Sequence, residues 1–403
     1  MALGLNTIYH AAYVLRDVAR RTDIIKTKCF DCSNEVCIKP ENLQLTGSFK
    51  LRGAYYKISQ LSEEEKSKVI IACSAGNHAQ GVALAASRSN INAKIFMPST
   101  APTAKVEATK SYGADVILVD GTYDDAYSKA KEELEKGQGT FVHPFDDPLV
   151  IAGQGTIGLE ILDQIDGTDA VVVPIGGGGL ISGVAMAVKE LKPSCKVIGV
   201  QAKGAPSMFN SFKDGKLETL DSVDTFADGI AVKKPGELTF SMVNKYVDDI
   251  VVVSEDEVAG AILALMEKER LVAEGAGAVA LAATLYDKIG LSGKRVVPIV
   301  SGGNIDVNIL NRVITRGLVM GGRRATIVIP LIDRPGQLKE IASIVSAHGA
   351  NVVSVHHDNS DPNMAVNSCF LRVVMETRNM EQVKAIRAAI VESGYQLCYD
   401  KIH

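Results

Sequence analysis

Residues 170–183 read AVVVPIGGGGLISG. The first six form a continuous apolar run. An alternating pattern would leave one face in water, so a continuous run predicts a strand buried on both faces. Four consecutive glycines, Gly176 to Gly179, follow, and the small-residue stretch GGLISGVAMAVKELKP then reads as a helix. Glycine lets successive backbone N–H groups converge without side-chain obstruction. A helix start adds unpaired donors and a partial positive charge. Strand, glycine loop and helix together predict a parallel α/β layer with an anion cradle at a strand end. A tight turn would also use glycine, but four in succession exceed what a turn needs.

The same alternation runs from Val69 to Val300. VIIACS, AKIFMP, DVILVD, KVIGVQ and RVVPIVS read as further buried strands, with helical stretches such as AGNHAQGVALAASRSN between them. The fold class is therefore α/β. The runs fall into two groups on either side of HPFDDPLVIAGQG, which predicts two open sheets with a cleft between them, where ligands tend to bind. The segment KGAPSMFNSFKDGKLETLDSVDTFADGI is expected to be an irregular loop lining an entrance.

Near Gly321 the pattern changes. ATIVIPL reads as a strand, DRPG as a helix start with proline in the first turn, and PGQLKEIASIVSAHG as a helix ending at glycine. ANVVSVHHD, SCFLRVVMET, NMEQVKAIRAAIVESG and YQLCYD follow as strand, strand, helix and strand. The order βαββαβ is a ferredoxin-like unit of about 80 residues. The expected organisation is a body over residues 1–320, with a smaller subdomain at about 48–145, and a module over 325–403.

Bulk properties narrow the setting. The chain has 403 residues, 46% hydrophobic and 22% charged, with net charge −4, which argues against a nucleic acid or an anionic membrane as partner. No apolar run reaches the ~18 residues of a membrane span. The N-terminus lacks the apolar core of a secretory signal. A cytoplasmic protein with reduced thiols is expected. CFDCSNEVC holds Cys29, Cys32 and Cys37 without the second pair a zinc site wants, so small buried thiols in a strand region are expected there.

Three more stretches carry chemistry. CSAGNHAQG places Ser74, Gly76 and a helix start where a carboxylate could bind, although Ser74 or Asn77 could equally serve as a plain N-cap. IVSGGNID puts Ser301 at the mouth of a sheet. GSFKLRGAYY sets Lys50 among small and apolar neighbours at a helix start. A phosphate cradle, a carboxylate-ready turn, a strand-end hydroxyl and a lysine suit one small molecule with a phosphate, an aldehyde and a ring nitrogen. That molecule is pyridoxal phosphate, held by lysine as a Schiff base. Burial would lower the lysine pKa and make it a base near neutrality.

In combination, GSFKLRGA, SAGNHAQG, PIGGGGL and SGGN closely resemble the threonine/serine dehydratases of the fold-type II pyridoxal-phosphate family, over nearly all of residues 1 to about 320. The resemblance implies a tryptophan synthase β-like body of two open twisted sheets. It implies that Lys50 is the Schiff-base lysine and Phe49 packs on the ring. Asn77 would bond the ring hydroxyl, Ser301 would face the pyridine nitrogen, and Glu274 would lie near the ring. Gly176, Gly177, Gly178, Gly179 and Leu180 would bind the phosphate, and Ser74, Ala75, Gly76, Asn77 and His78 the substrate carboxylate. The implied reaction is deamination of L-threonine to 2-oxobutanoate and ammonia, with L-serine slower.

Within the family, serine racemase is similar but has a serine where this chain has Ala75, and alanine cannot move a proton. Its acidic metal ligands are replaced by Gln201 and Ser207, so no divalent metal site is expected there. The O-acetylserine sulfhydrylase branch has a loop like TSGNTG instead of SAGNHAQG. The C-terminal unit resembles an ACT domain, the small amino-acid-sensing module. The resemblance implies an amino-acid effector at Asp333, Arg334, Pro335, Gly336, Asn351 and Val352, with sites shared between two chains of a homodimer or homotetramer. Pure assembly is the alternative for that module. For the body, a serine racemase/dehydratase and a non-catalytic amino-acid sensor stay open, the intact Lys50 arguing against the sensor.

Overall fold

The computed structural model describes residues 2–30, 32–137, 139–359 and 365–398. The chain divides into two compact units, residues 1–309 and 310–403. In chain order the strands of the first unit are β1 (Ile25–Lys26), β2 (Glu35–Pro40), β3 (Val69–Cys73), β4 (Ala93–Pro98), β5 (Asp115–Val119), β6 (Gly139–Phe141), β7 (Ala170–Pro174), β8 (Lys196–Ala202), β9 (Asp249–Val253) and β10 (Arg295–Val300). The larger sheet has the order β1-β2-β10-β7-β8-β9, and the smaller has β5-β4-β3-β6. All neighbours pair in parallel except β1 with β2. The central strand β7 is buried along its whole length, as its unbroken apolar run predicts.

The helices that place the site are α1 (Lys50–Ser59), α2 (Asn77–Arg88), α3 (Pro148–Gln164), α4 (Gly179–Leu191) and α5 (Gly275–Leu285). Four of them meet backbone to backbone through glycine. A Cβ on Gly153 would stand 2.6 Å from the Arg52 carbonyl oxygen, which sets how closely α3 crosses α1. One on Gly183 would stand 2.2 Å from the Ile151 carbonyl oxygen, and one on Gly81 3.0 Å from the Lys50 carbonyl carbon. Helix α1 is thereby pressed between α2 and α3, and Lys50 is its first residue.

A buried charge cluster locks α1 further. The Arg52 guanidinium is buried and donates to both oxygens of Glu41, at 2.8 Å each, and to Glu160 at 2.6 and 3.0 Å. Lys39 donates to Glu160 at 2.6 Å and to the Thr22 carbonyl. Burial alone would push the Glu41 carboxyl up. Arg52 outweighs it and holds the group below the usual carboxylate range.

The second unit comprises β11 (Arg324–Ile332), α6 (Gln337–Ala347), β12 (Asn351–Asp358), β13 (Ser368–Glu376) and α7 (Met380–Glu392). Its antiparallel sheet runs β11-β13-β12. Cys398 bridges to Val328 on the free side of β11, so the chain returns where the fourth ferredoxin-like strand was expected. The rest of that expected strand, Tyr399 and Asp400, lies outside the described residues.

Several expectations need correction. The helix after DRPG begins at Gln337, not at Pro335, because Gly336 turns left-handed (φ +99°) immediately before it. The supposed loop after Lys203 contains a helix, Ser207–Asp214, whose Met208 and Ser211 are buried at helical spacing. Strand β9 was hidden by its short length between polar residues. Of the three early cysteines only Cys37, in β2, is buried; Cys29 is exposed and Cys32 half-buried in the preceding turn. No helix among the described residues is long and apolar enough to cross a membrane.

Replacing Arg52 by Met would strand the buried Glu41 carboxylate. Loss of one member of a buried pair typically costs about 3–5 kcal/mol. A clear drop in the melting temperature of the first unit is expected, whereas Lys66→Met, at an exposed pair with Glu63, should leave it nearly unchanged. Calorimetry of both variants checks this.

Candidate active site

The site gathers at the C-terminal ends of parallel strands from both sheets. Ser74 follows β3, Gly176 lies just beyond β7, and Ser301 follows β10. These ends place loop backbone and helix starts together, the usual binding position in open α/β sheets.

Lys50 Nζ donates to the Pro144 carbonyl at 3.0 Å and lies 5.2 Å from the centre of the Phe49 ring. Among the described residues no carboxylate lies within ion-pair distance of it. Desolvation lowers its pKa to about 8, partly opposed by Glu274. Pro144 is set by its neighbours: His143 Nδ1 accepts from the N–H of Phe145 at 3.3 Å and of Asp146 at 2.8 Å. The Phe145 ring packs against the glycine loop, 2.4 Å from where a Gly177 Cβ would stand.

In that loop, the Gly177 carbonyl accepts from Thr239 Oγ1 at 2.6 Å and from the Gly236 N–H at 3.4 Å. A trans peptide points its N–H opposite its carbonyl, so the Gly178 N–H is turned away from Thr239. Gly178 is the left-handed N-cap of α4 (φ +99°), and no side chain caps that helix. The N–H groups of Gly178, Gly179, Leu180 and Ile181 therefore have no intrahelical acceptor and suit an anion.

Helix α2 also starts uncapped. Its N-cap is Gly76, with no side-chain cap, so neither Ser74 nor Asn77 plays the plain capping role. Ser74 Oγ instead accepts from the Gly76 N–H at 3.2 Å. Nothing lies within 4 Å of where a Gly76 Cβ would be, leaving open space over this turn. Ala75 packs at the edge of the smaller sheet's core. The His78 side chain points inward, its Nε2 against the Val142 carbonyl at 2.9 Å, and burial followed by repulsion from Lys50 pushes its pKa down to about 3. Only the His78 backbone is left to face a ligand.

Asn77 and Glu274 form one polar unit. Asn77 Nδ2 donates to Glu274, and Asn77 Oδ1 accepts from Asn304 Nδ2 at 2.7 Å. Asn304 also donates to the Thr46 carbonyl at 2.8 Å. Burial, reinforced by Asp228, raises the Glu274 carboxyl to about 7. Ser301 is buried and donates to the Ala276 carbonyl at the start of α5, at 3.3 Å. Gln201 and Ser207 are committed to internal bonds, with Ile175, Phe209 and Val232.

The structure thus brings Phe49, Lys50, the Ser74–His78 turn, the Gly176–Leu180 loop, Glu274 and Ser301 to the same strand ends. Asn304, His143, Pro144 and Thr239 belong with them and were not singled out by sequence. The position of Asn304 directly after SGG was the available signal. The expected effector residues are not brought together within one chain. Asp333 lies beyond the end of β11 that faces Ser368, whereas Asn351 pairs with Glu376 at the other end of β13. At ~3.4 Å per residue the two sets are roughly 30 Å apart.

The model for "Pyridoxal-phosphate dependent enzyme" matches residues 15–302. The L-threonine ammonia-lyase of Thermotoga maritima is 49% identical over 397 residues, 98% of this chain and 99% of that protein. The solved processed form of threonine deaminase isoform 2 from Solanum lycopersicum is 42% identical with a TM-score of 0.74, covering 78% of this chain and 89% of that one. The structure of maize serine racemase is 35% identical with a TM-score of 0.74, covering 79% and 99%.

The Glu274 carboxyl has a folded value of about 7 against an ordinary 4.5. Between these values the unfolded chain has lost the proton and the folded one keeps it, so this group makes stability fall as pH rises, levelling off above about 7. Glu274→Gln keeps the acceptor for Asn77 and should flatten that part of the curve. Denaturant midpoints of the apoprotein at pH 5 and pH 7.5 check the sign.

Proposed function

The chain belongs to the pyridoxal-phosphate dependent enzymes, and on that premise we propose that it deaminates L-threonine to 2-oxobutanoate and ammonia, with L-serine to pyruvate as a secondary activity. The observation that carries the reading is the Lys50 amine, with no carboxylate among the described residues at ion-pair distance and its pKa lowered to about 8, at strand ends that also hold two uncapped helix starts.

The residues present fit the cofactor. The α4 start offers unsatisfied N–H groups to a phosphate, and its glycines cannot carry a Cβ without striking Phe145, Thr239 or Met208 on the far side. Gly176 to Leu180 would hold the phosphate. Phe49 would support the ring, and Asn77 and Ser301 would meet its polar atoms. Lys50 would bind its carbonyl carbon. Bound pyridoxal phosphate supplies the electron sink that makes the Cα–H of an amino acid acidic.

The chain's own groups then do the rest. The open turn at Ser74–His78 orients the substrate through its carboxylate, using backbone N–H groups of α2. The Lys50 amine would take the Cα proton, and a pKa close to the working pH is what a general base needs. Glu274, with its carboxyl near 7 and bonded to Asn77, keeps that amide fixed without a full negative charge that would hold Lys50 protonated. Ala75 offers no hydroxyl at its own position, where one could act as a second acid or base, and the Ser74 hydroxyl is engaged by the Gly76 N–H, which disfavours racemization. The C-terminal unit is proposed to sense an amino-acid effector at Asp333–Gly336, with Asn351 and Val352 contributed by a second chain of a homodimer or homotetramer. A cytoplasmic setting is proposed with it.

The test is 2-oxo acid formation from threonine and serine, with chiral analysis of residual serine. Rapid oxo-acid release from threonine is expected. Racemized serine without oxo acid would overturn the assignment. Lys50→Ala should lose ~10³-fold or more in rate, within the range for a lost acid–base group, together with the visible absorbance of lysine-bound cofactor. An unchanged spectrum would mean that another lysine is the anchor.

A further inference from the structure

The C-terminal unit brings a carboxylate, an imidazole and a thiol to one end of its sheet. Asp333 follows β11, His357 lies in β12 and Cys369 in β13, and their donor atoms all lie within 4.8 Å of one another. Strand register explains the convergence. Leu331 stands opposite Cys369, and His357 opposite Leu371. Opposed residues share a face of a sheet, as do residues two apart in one strand. Cys369 and Leu371 are two apart and both buried against α6 and α7. Leu331 and His357 therefore project to that same face. The Asp333 N–H donates to the Asn367 carbonyl at 2.8 Å, which extends the ladder one step and keeps Asp333 on the face of Leu331.

The three side chains line a cavity of about 430 Å³ together with the turn from Arg334 to Gln337. His357 Nε2 is 3.5 Å from Asp333 Oδ1, with these side chains 50% and 40% exposed, while Cys369 is buried at 2%. The arrangement is two adjustable ligands over one fixed sulfur. A mixed oxygen, nitrogen and sulfur set suits a borderline divalent ion. Calcium and magnesium want oxygen alone, and copper(I) wants more sulfur. Zinc bonds of ~2.0–2.3 Å in tetrahedral geometry put ligand atoms roughly 3.5 Å apart. Rotation of the two exposed side chains closes that gap.

We propose that Asp333, His357 and Cys369 form a binding site for a zinc-class divalent ion, with its fourth position open to the cavity. On binding, the thiol proton passes to solvent and the thiolate takes the metal. Arg334 also lines the cavity; it repels a bare dication and so favours an anionic fourth ligand there. The inference rests on the C-terminal unit alone and is independent of the reaction assigned to the first unit.

The test uses the full-length holoenzyme after dialysis against chelator, titrated with cobalt(II) and then zinc. Expected are one cobalt per chain, a near-ultraviolet thiolate-to-cobalt band, and displacement of that band by zinc. Cys369→Ser should abolish the band. Because Cys369 is in the core, the surface variants His357→Ala and Asp333→Asn are made as well, and each should weaken cobalt binding at least ten-fold while the far-ultraviolet circular dichroism of the holoenzyme stays unchanged. Undiminished binding in both surface variants would overturn the site. So would a band that survives Cys369→Ser and disappears with Cys29→Ser or Cys32→Ser.

Discussion

The Arg52 guanidinium is buried between Glu41 and Glu160, two residues along α1 from Lys50. Glu41 follows β2 of the larger sheet, Glu160 sits on α3, and Lys39 closes the cluster from β2. A charge taken out of water is tolerated only with its partners in place, so this cluster has one acceptable geometry. That requirement fixes the position and rotation of α1. The glycine contacts at Gly53, Gly81 and Gly153 then remove the remaining slack, because a Cβ at Gly53 or Gly153 would collide with a neighbouring helix or side chain and one at Gly81 would press on the Lys50 backbone.

The first residue of α1 is under the opposite condition. Arg52 is given two carboxylates, and Lys50, on the same helix, is given one carbonyl and, among the described residues, no carboxylate within ion-pair distance. Arg52 is buried and compensated by its partners, whereas Lys50 is half-buried and its desolvation is opposed only in part, by Glu274. One cation is therefore held charged and structural, while the other moves toward neutrality. The contrast between two basic residues so close in sequence separates scaffold from chemistry in this molecule.

Around Lys50, polar groups hold one another. Asn304 orients Asn77, Asn77 holds Glu274, and the Glu274 N–H donates to the Gly302 carbonyl on the strand-end loop after β10. His143 holds the turn that offers Pro144 to Lys50 and Phe145 to the glycine loop. These second partners come from segments far apart in the chain, and they let the site keep its shape through backbone turns rather than through packed side chains.

The α/β alternation, the strand cores, the glycine loop and the C-terminal βαββα order were legible in the sequence, because each rests on local periodicity or on glycines in a marked place. Short elements between polar residues, such as β9 and the Ser207–Asp214 helix, were not, since too few residues repeat to give a period. What the sequence alone determined is which residue types stand at the strand ends. Only the tertiary structure decided their partners: that His78 turns inward, that Asn304 completes the Asn77–Glu274 unit, and that Asp333, His357 and Cys369 meet. The physical reason is that such meetings are set by strand register and helix crossing, which join segments remote in sequence and leave no spacing within any one of them.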